Sequence, residues 1–575
     1  MNQQWRVIEP HQAAEALAAD LKVSPLLAQL LLNRGLTDAD AGRAFLRPTL
    51  KCLHDPATIP NLSRAARRIA EAIAASEKIV IYGDYDVDGI TATAILWHAI
   101  RILGGIVDYY IPHRIDEGYG LHGEAIEQIC AQGAKLIVTV DCGVTGIEAA
   151  TVAARCGIDL IITDHHEFDP QHLPSCHSVV HPCLPCEKSA YPNPHLCGAG
   201  VAFKLAWAIG TAVSGAVKVS EPFRAFLLDA TALAALGTIA DVVPLVGENR
   251  VLAHFGLGGL KTSKLTGIAA LIEAASLTGQ TLDSYHVGFL LGPRLNAAGR
   301  MGHARLAAEM LTTATPERAA EIAIYLENQN RDRQAMERDI VAAAIAQIES
   351  TGHEDDRAIV VGDAGWHPGV IGIVASRLVD RYHKPAIVIA LGDGLGQGSG
   401  RSIGGFHLAR ALRACDEHLI GHGGHEMAAG LKIERGKFDA FRAAFLKHAA
   451  EHITPQMLVR ELRLDVSADL SQLTEALVTD LKRLGPFGMG NRRPILCLPT
   501  VELAAPPRRV GKTGDHLQMY VRQGKTSLKC IAFGGGKWCD ELRPGMALRL
   551  AAEPQLCEFN GRTSVELDIK DLAIA

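Results

Sequence analysis

Three aspartates alternate in Gly83-Asp84-Tyr85-Asp86-Val87-Asp88-Gly89, directly after the apolar run Lys78-Ile-Val-Ile-Tyr82 and just ahead of a helical pattern. One aspartate there would be an ordinary helix N-cap. Three together crowd negative charge, which is costly without a cation. Two more apolar runs end in the same kind of residue: Leu136-Ile-Val-Thr-Val140 at Asp141-Cys142-Gly143, and Leu160-Ile-Ile-Thr163 at Asp164-His165-His166. A further carboxylate, Asp241, sits inside the apolar segment Leu236-Gly-Thr-Ile-Ala-Asp-Val-Val-Pro244, where it needs a partner or a metal. Carboxylates with imidazoles and no cysteine suit Mn²⁺ or Mg²⁺ better than structural zinc. Asp84, Asp86, Asp88, Asp141, Asp241, His165 and His166 are too many ligands for one ion and enough for two. A pair of ions activates water and stabilises the leaving oxygen in phosphoryl transfer. The residues therefore point to a dinuclear phosphoesterase and leave its substrate open.

Those residues need a scaffold that brings them to one rim. Helix Ala65–Ser76 leads into the run that starts at Lys78. Helix 91–103, strand 106–111, helix 123–131, strand 135–140, helix 146–156 and strand 159–163 follow. Strands alternating with helices at this spacing predict a parallel, doubly wound α/β sheet, which places its site just past the carboxyl ends of the strands. A mostly helical region runs from Ala199 to about Met310, and Thr315–Ser350 reads as one long connecting helix. An α/β pattern restarts at Arg357–Val361 and Pro385–Leu391. Short alternating runs such as Leu517-Gln-Met-Tyr-Val-Arg522 predict a small C-terminal β domain. The expected segments are 1–50 (helical), 51–313 (catalytic), 314–352 (connecting helix), 353–455 (second α/β domain) and 456–575 (β domain).

Composition excludes other classes. At 575 residues, with 48% hydrophobic and 21% charged, the chain is an ordinary multidomain globular protein. Its net charge of −6 excludes a generic polycation, yet residues 486–575 carry 13 Lys+Arg against 9 Asp+Glu. Contact with nucleic acid would use such local patches. Aromatics at 5% leave few rings for base stacking. No signal pattern opens the chain and no long uncharged apolar run interrupts it, so a soluble cytoplasmic protein with no membrane contact is expected. The 13 cysteines read as reduced thiols rather than a disulfide framework.

Several longer segments narrow the reading. They are Gly292-Pro-Arg-Leu-Asn-Ala-Ala-Gly-Arg-Met301, Trp366-His-Pro-Gly-Val-Ile-Gly-Ile-Val-Ala-Ser-Arg377, Gly423-Gly-His-Glu-Met-Ala-Ala-Gly430 and Gly485-Pro-Phe-Gly-Met-Gly-Asn491. With Asp-His-His and the upstream Asp-x-Asp-Gly, they resemble the RecJ family of the DHH phosphoesterase superfamily, over nearly the whole chain from about residue 50. The resemblance implies a single-strand-specific 5′→3′ DNA exonuclease that releases 5′ mononucleotides in recombination and repair, with two Mn²⁺ or Mg²⁺ ions. It makes Asp86 and Asp88 the paired metal-binding aspartates and places Asp84 near a position where some relatives carry a histidine ligand. Asp141 would bridge the ions, His165 and Asp241 would hold the second ion, and His166 would contact the scissile phosphate. His166, Asp141 and Asp88 form the implied catalytic set, and Asp164 would orient a histidine. Single-strand-binding protein and a helicase are the implied partners of a monomer.

The resemblance also assigns the strand-holding residues. Gly398-Ser399-Gly400-Arg401-Ser402 reads as a phosphate-binding loop in a DHH-associated domain, using Ser399, Arg401 and Ser402. His422 and His425 are expected at substrate, and Arg114 and Arg294 at the DNA backbone. The β domain resembles an OB-fold, a β-barrel that binds single strands by a basic groove and aromatic platforms. Arg508, Arg509, Lys512, Tyr520, Lys529 and Trp538 are its candidates, whereas Phe533 is expected in the core. A cleft narrow enough to exclude a duplex would give single-strand specificity by shape. His181, Cys183 and Cys186, with Cys176 and Cys197 nearby, have partial zinc spacing but read as a proline-rich surface loop. Two rival functions stay open: hydrolysis of short oligonucleotides or cyclic dinucleotides, and a non-catalytic DNA-binding scaffold.

Overall fold

A computed structural model describes residues 3–114, 116–185, 190–216, 218–351, 355–559 and 561–575. The chain divides into two compact units. One comprises Val7–Glu327 with Leu464–Ala575, and the other Asn328–Arg463 with the N-terminal residues up to Arg6.

In the first unit the catalytic sheet is parallel throughout, in the order Ile106–Tyr110, Lys78–Gly83, Leu136–Val140, Asp159–Thr163, Ser178–Val180. Leu136–Val140 is buried at every residue, which explains its unbroken apolar run: helices cover both faces. The helix Leu62–Ala74 buries Leu62, Ala65, Ala66, Ile69 and Ala72, one stripe at helical spacing. Strand order reverses between Lys78–Gly83 and Leu136–Val140, so a crevice opens past the ends of those two strands. The helix Glu221–Ala240 is long and apolar enough to cross a membrane, with a mean hydropathy of 1.5, but 61% of that window is buried inside the protein. It packs on the helices Val87–Ile102 and Gly247–Leu260, as a core helix does.

Beneath this helical layer lies an ion pair with no exposed side-chain surface, Lys204 with Glu248. Lys204 Nζ also donates to His54 O, and Glu248 accepts from His54 N at 2.9 Å and the Tyr191 hydroxyl at 2.5 Å. Removing one partner strands a buried charge, which costs about 3–5 kcal/mol. Lys204→Met is therefore expected to lower the unfolding free energy of the full chain by that amount, read as a lower urea midpoint at an unchanged m-value. A loss below about 1 kcal/mol would mean that Glu248 is neutralised by its other donors.

The C-terminal strands form a closed ring. Leu496–Leu503 pairs with Ala547–Phe559 on one side and His516–Gln523 on the other, and Arg562–Ile574 and Thr526–Ala532 complete the circuit. This is the expected barrel. Its core is shared with the N-terminal helix Pro25–Leu32, where Leu27, Leu30 and Leu31 are fully buried.

The second unit holds a mixed sheet ordered Gly421–Gly424, Ala428–Glu434, Leu395–Arg401, Ala386–Leu391, Ile359–Asp363. Only the last two are mutually parallel. The long helix is continuous over 36 residues, Pro316–Thr351.

Candidate metal centre and strand-binding residues

Each predicted acidic strand end arrives at the crevice. Asp84 follows the first strand and is 4% exposed. Asp86 is the N-cap of helix Val87–Ile102, accepting from Asp88 N at 2.8 Å and Gly89 N at 3.2 Å. A Cβ at Gly89 would lie 2.6 Å from Asp84 O, so only glycine lets the Asp84 turn fold over the helix start. Asp88, in the first helical turn, accepts from Gly198 N at 2.5 Å and Ala199 N at 2.8 Å. The N-terminus of helix Gly198–Ser214 thus fixes this carboxylate. Asp141 takes a left-handed backbone (φ 63°) that turns its side chain back over the strand end.

Asp164 does a different job. It is 1% exposed and accepts from Val144 N at 2.9 Å, His165 N at 2.8 Å and His166 Nδ1 at 2.8 Å. It orients the histidine pair. His165 Nε2 lies 3.1 Å from Asp141 Oδ1, 3.6 Å from Asp241 Oδ2 and 3.7 Å from Asp88 Oδ2. The ligand atoms group as Asp84, Asp86 and Asp141, and as Asp88, His165 and Asp241, each set within 4.8 Å. His166 joins Asp141 and His165 in a third such group.

The electrostatics call for cations. Burial first, then Asp86, raises Asp84 to about 8. Burial and then Asp88 raise Asp241 to about 9, and Asp141 moves well above the carboxylate range by burial and four neighbouring aspartates. Three buried atoms, Asp84 Oδ1, Asp141 Oδ1 and His165 Nε2, have no hydrogen-bond partner among the described residues. Orphaned polar atoms are costly unless a missing partner satisfies them. Hard oxygen donors with one imidazole fit Mn²⁺ or Mg²⁺. Burial lowers His165, keeping the neutral form that ligates. For His166, burial is outweighed by the Asp164 hydrogen bond and charge, and its pKa rises to about 9.

A pH dependence follows. Without cations the folded protein keeps these carboxyl protons up to about pH 8–9, whereas an unfolded chain releases them near 3.8. The folded state then binds more protons than the unfolded one, so metal-free stability falls as pH rises through that window. Bound cations displace the protons, so the rise in Tm produced by Mg²⁺ over EDTA is expected to be larger at about pH 8.5 than at about pH 6. Differential scanning calorimetry at both pH values checks this; an equal or smaller rise at the higher pH would count against a carboxylate site.

Several contributors were not read from the sequence. The Tyr119 hydroxyl lies 3.0 Å from His166 Nδ1 and donates to Asp141 O at 3.4 Å. The Gly198 and Ala199 amides on Asp88 were missed as well, because backbone donors leave no side-chain signal. Arg114 is brought to the site, its guanidinium 4.8 Å over the ring of Tyr85, the residue between Asp84 and Asp86. Arg294 is 12% exposed and held by Glu327 at 2.6 Å and Leu290 O at 2.6 Å.

In the second unit the Gly398–Ser402 segment is not a loop. Leu395–Arg401 is a strand paired on both sides, and its alternate glycines face the core, where a Cβ at Gly398 would lie 2.7 Å from Leu431. The glycines answer a packing need. Ser399 and Arg401 share the opposite face, Arg401 donating to Ser399 Oγ at 3.2 Å, and both approach Gly372 in helix Ile371–Tyr382. Ser402 departs from expectation: it is 4% exposed and its hydroxyl donates to Phe406 O at 2.6 Å, so it fastens a turn instead of facing a strand. His422 lies 3.3 Å from Asp416, and His425 is exposed.

On the barrel, Arg508, Lys512 and Tyr520 are exposed, whereas Arg509 pairs with Asp540 at 2.5 Å and Lys529 with Glu566 at 2.9 Å. The two aromatic expectations exchange places: Phe533 is 67% exposed, and Trp538 packs on the barrel core against Gly535. His181 is unsuited to zinc, since its Nε2 lies 2.9 Å from His166 O and its Nδ1 accepts from Cys183 N at 3.0 Å. Cys186 lies outside the described residues.

A parallel sheet that delivers Asp-x-Asp, Asp and Asp-His-His to one crevice defines a metal-dependent phosphoesterase of the DHH class. Residues 78–235 match the DHH family, N-terminal domain, 355–451 the DHHA1 domain and 464–571 the RecJ OB domain. The chain is 37% identical to the single-stranded-DNA-specific exonuclease RecJ of Bacillus subtilis, over 99% of this chain and 71% of that protein. The crystal structure of RecJ in complex with Mn²⁺ from Thermus thermophilus superposes with a TM-score of 0.84 at 31% identity, covering 100% of this chain and 80% of that one. The Mg²⁺ complex of RecJ from the same source superposes at 0.78 and 31% identity, covering 99% and 78%. The chain belongs to the RecJ family.

Proposed function

We propose that this protein is a metal-dependent exonuclease that degrades single-stranded DNA from the 5′ end to 5′ mononucleotides. The observation that carries the reading is the convergence of Asp84, Asp86, Asp88, Asp141, Asp241 and His165 on one crevice, in a chain that also has a RecJ-type OB domain. Asp84, Asp86 and Asp141 would hold one ion, and Asp88, His165 and Asp241 the other. When bound, Mn²⁺ or Mg²⁺ supplies the charge that activates water and stabilises the leaving oxygen.

The chain's own groups do the rest. Asp164 holds His166 by Nδ1 and keeps it charged, so its Nε2 is the donor offered to a non-bridging phosphate oxygen. Tyr119 braces the same ring. Arg114 adds positive charge at the crevice. Ser399 and Arg401 grip the DNA backbone, with His422 and His425 beside them. Arg508, Lys512 and Tyr520 track the strand along the barrel, and Phe533 joins them as an exposed ring. Arg294 and Arg509 reach a phosphate only by leaving their acidic partners.

The setting that this reading implies is cytoplasmic, in DNA recombination and repair. There the protein acts as a monomer beside single-strand-binding protein and a helicase. The domain limits proposed are 51–313, 314–352, 353–455 and 456–575, after an N-terminal segment 1–50.

The test uses single-stranded DNA blocked at the 5′ or the 3′ end, and a blunt duplex, each with Mn²⁺ or EDTA. Mononucleotides released from free 5′ ends alone, and only with Mn²⁺, are expected. Cleavage confined to dinucleotides would move the protein to the small-substrate branch. Absence of any cleavage, with no Mn²⁺ uptake by calorimetry, would make it a scaffold.

A further inference from the structure

The Gly485–Asn491 segment marks the family by sequence, but the chemistry above gives it no role. Its place in the fold suggests one. Asp241 is the residue that ends helix Glu221–Ala240. The chain leaves Asp241 through Val242, which is 56% exposed and whose φ of 62° is unfavourable for a β-branched residue. Such a turn persists only when its surroundings fix it. Two contacts do so on the far side. Asn249 Nδ2 donates to Pro244 O at 3.1 Å, and Leu245 N donates to Met489 O at 2.8 Å.

Met489 belongs to the Gly485–Asn491 segment, which lies within the part matched by the RecJ OB domain. The glycines on either side of it allow the close approach. A Cβ at Gly488 would lie 2.7 Å from Leu245 Cδ1, and one at Gly490 would lie 3.1 Å from Pro244 Cβ. The segment is itself anchored. Asn491, 1% exposed, donates to Leu484 O and Pro486 O at 2.8 Å each and accepts from Arg34 Nε at 2.9 Å. The Ser284 hydroxyl donates to Phe487 O. This anchored segment thus braces the turn that follows Asp241.

We propose that Gly485–Asn491 is a positioning element for Asp241, so that the OB domain sets the geometry of one of the two metal clusters. The inference rests on the reading of Asp241 as a metal ligand. It gives the barrel a part in the chemistry in addition to holding DNA, through the Leu245–Met489 hydrogen bond and the glycine-permitted contact beside it.

The test uses the full-length chain and its Gly488→Ala variant, whose new methyl presses on Leu245. Leu245→Val/Gly488→Ala, which removes the δ carbons it would strike, is the rescue. Mn²⁺ binding is resolved by calorimetry, single-strand affinity by fluorescence anisotropy in EDTA, and folding by thermal unfolding. Gly488→Ala is expected to weaken one of the two Mn²⁺ ions about tenfold, leaving the other ion, the DNA affinity and cooperative unfolding unchanged. The double variant is expected to restore it. Asp241→Asn runs in parallel. If Asp241→Asn loses an ion and Gly488→Ala loses none, or weakens both ions equally, the positioning role is wrong. If Asp241→Asn itself binds both ions normally, the ligand reading fails first. Should Gly488→Ala not fold, Ser284→Ala replaces it, with about a threefold loss at the same ion expected and an unchanged isotherm overturning the proposal.

Discussion

Asp141→Ala is expected to reduce mononucleotide release by about 10³-fold or more, equivalent to about 4 kcal/mol of transition-state stabilisation. Asp141 is 2% exposed, belongs to two of the three ligand groups, and has an oxygen with no hydrogen-bond partner among the described residues. Among the described residues, no other carboxylate shares that position between the Asp84–Asp86 and Asp88–Asp241 sets. The loss should fall on kcat and on Mn²⁺ binding together. Single-strand affinity in EDTA should not fall, because Asp141 is a carboxylate and is not one of the proposed strand contacts. The folded state should also be kept: without cations Asp141 must take up a proton to be buried, and removing the group removes that cost, so metal-free Tm at neutral pH is expected to rise. Single-turnover kinetics, calorimetry and thermal unfolding of one preparation check all three. An Asp141→Ala protein that still bound two Mn²⁺ ions with wild-type affinity would remove it from the metal site.

The sequence made the site legible where chemistry sits at the ends of regular elements. Apolar runs that stop at Asp84, Asp141 and Asp164 are strands in a parallel sheet, and such a sheet points its strand ends one way. Asp241 was legible for a different reason, as a charge out of place in an apolar segment. A residue's role is hidden in the sequence where it depends on neighbours in space. Gly398 and Gly400 look like a flexible loop in one dimension; Leu431 and Leu408 explain them in three. Phe533 and Trp538 are both aromatic residues near a strand end, and nothing local shows which one the barrel core takes. Ser402 has the residue type of a phosphate ligand, yet its hydroxyl donates to Phe406 O. The N-terminal helix Pro25–Leu32 read as a separate preface, yet its leucines complete the barrel core hundreds of residues away in sequence.

Gly198 is the sharpest case of a residue silent in sequence, and Gly198→Ala is expected to cost about 100-fold or more in activity. By helix propensity alone the change is favourable, since Gly198 is the first residue of a helix and alanine is the better helix former. The geometry reverses the sign. An added Cβ would lie 2.6 Å from Asp141 Cβ and 2.7 Å from Asp141 Oδ1, closer than real Cβ contacts come. Asp141 cannot swing aside freely, because its backbone is already held in a left-handed turn. The helix start must therefore retreat. Its Gly198 and Ala199 amides are the donors that hold Asp88, so both metal clusters are disturbed by one methyl group. Gly258→Ala supplies the control. It lies in helix Gly247–Leu260, and beyond its chain neighbours and that helix's own backbone no atom comes within 4 Å of the added carbon. There the same change should leave activity intact and raise stability by about 0.4–1 kcal/mol. Steady-state kinetics and Mn²⁺ titration of the two variants separate the outcomes. If Gly198→Ala behaved like Gly258→Ala, the contact between Gly198 and Asp141 would not constrain the site, and Asp88 would have to be fixed by some means other than the helix N-terminus.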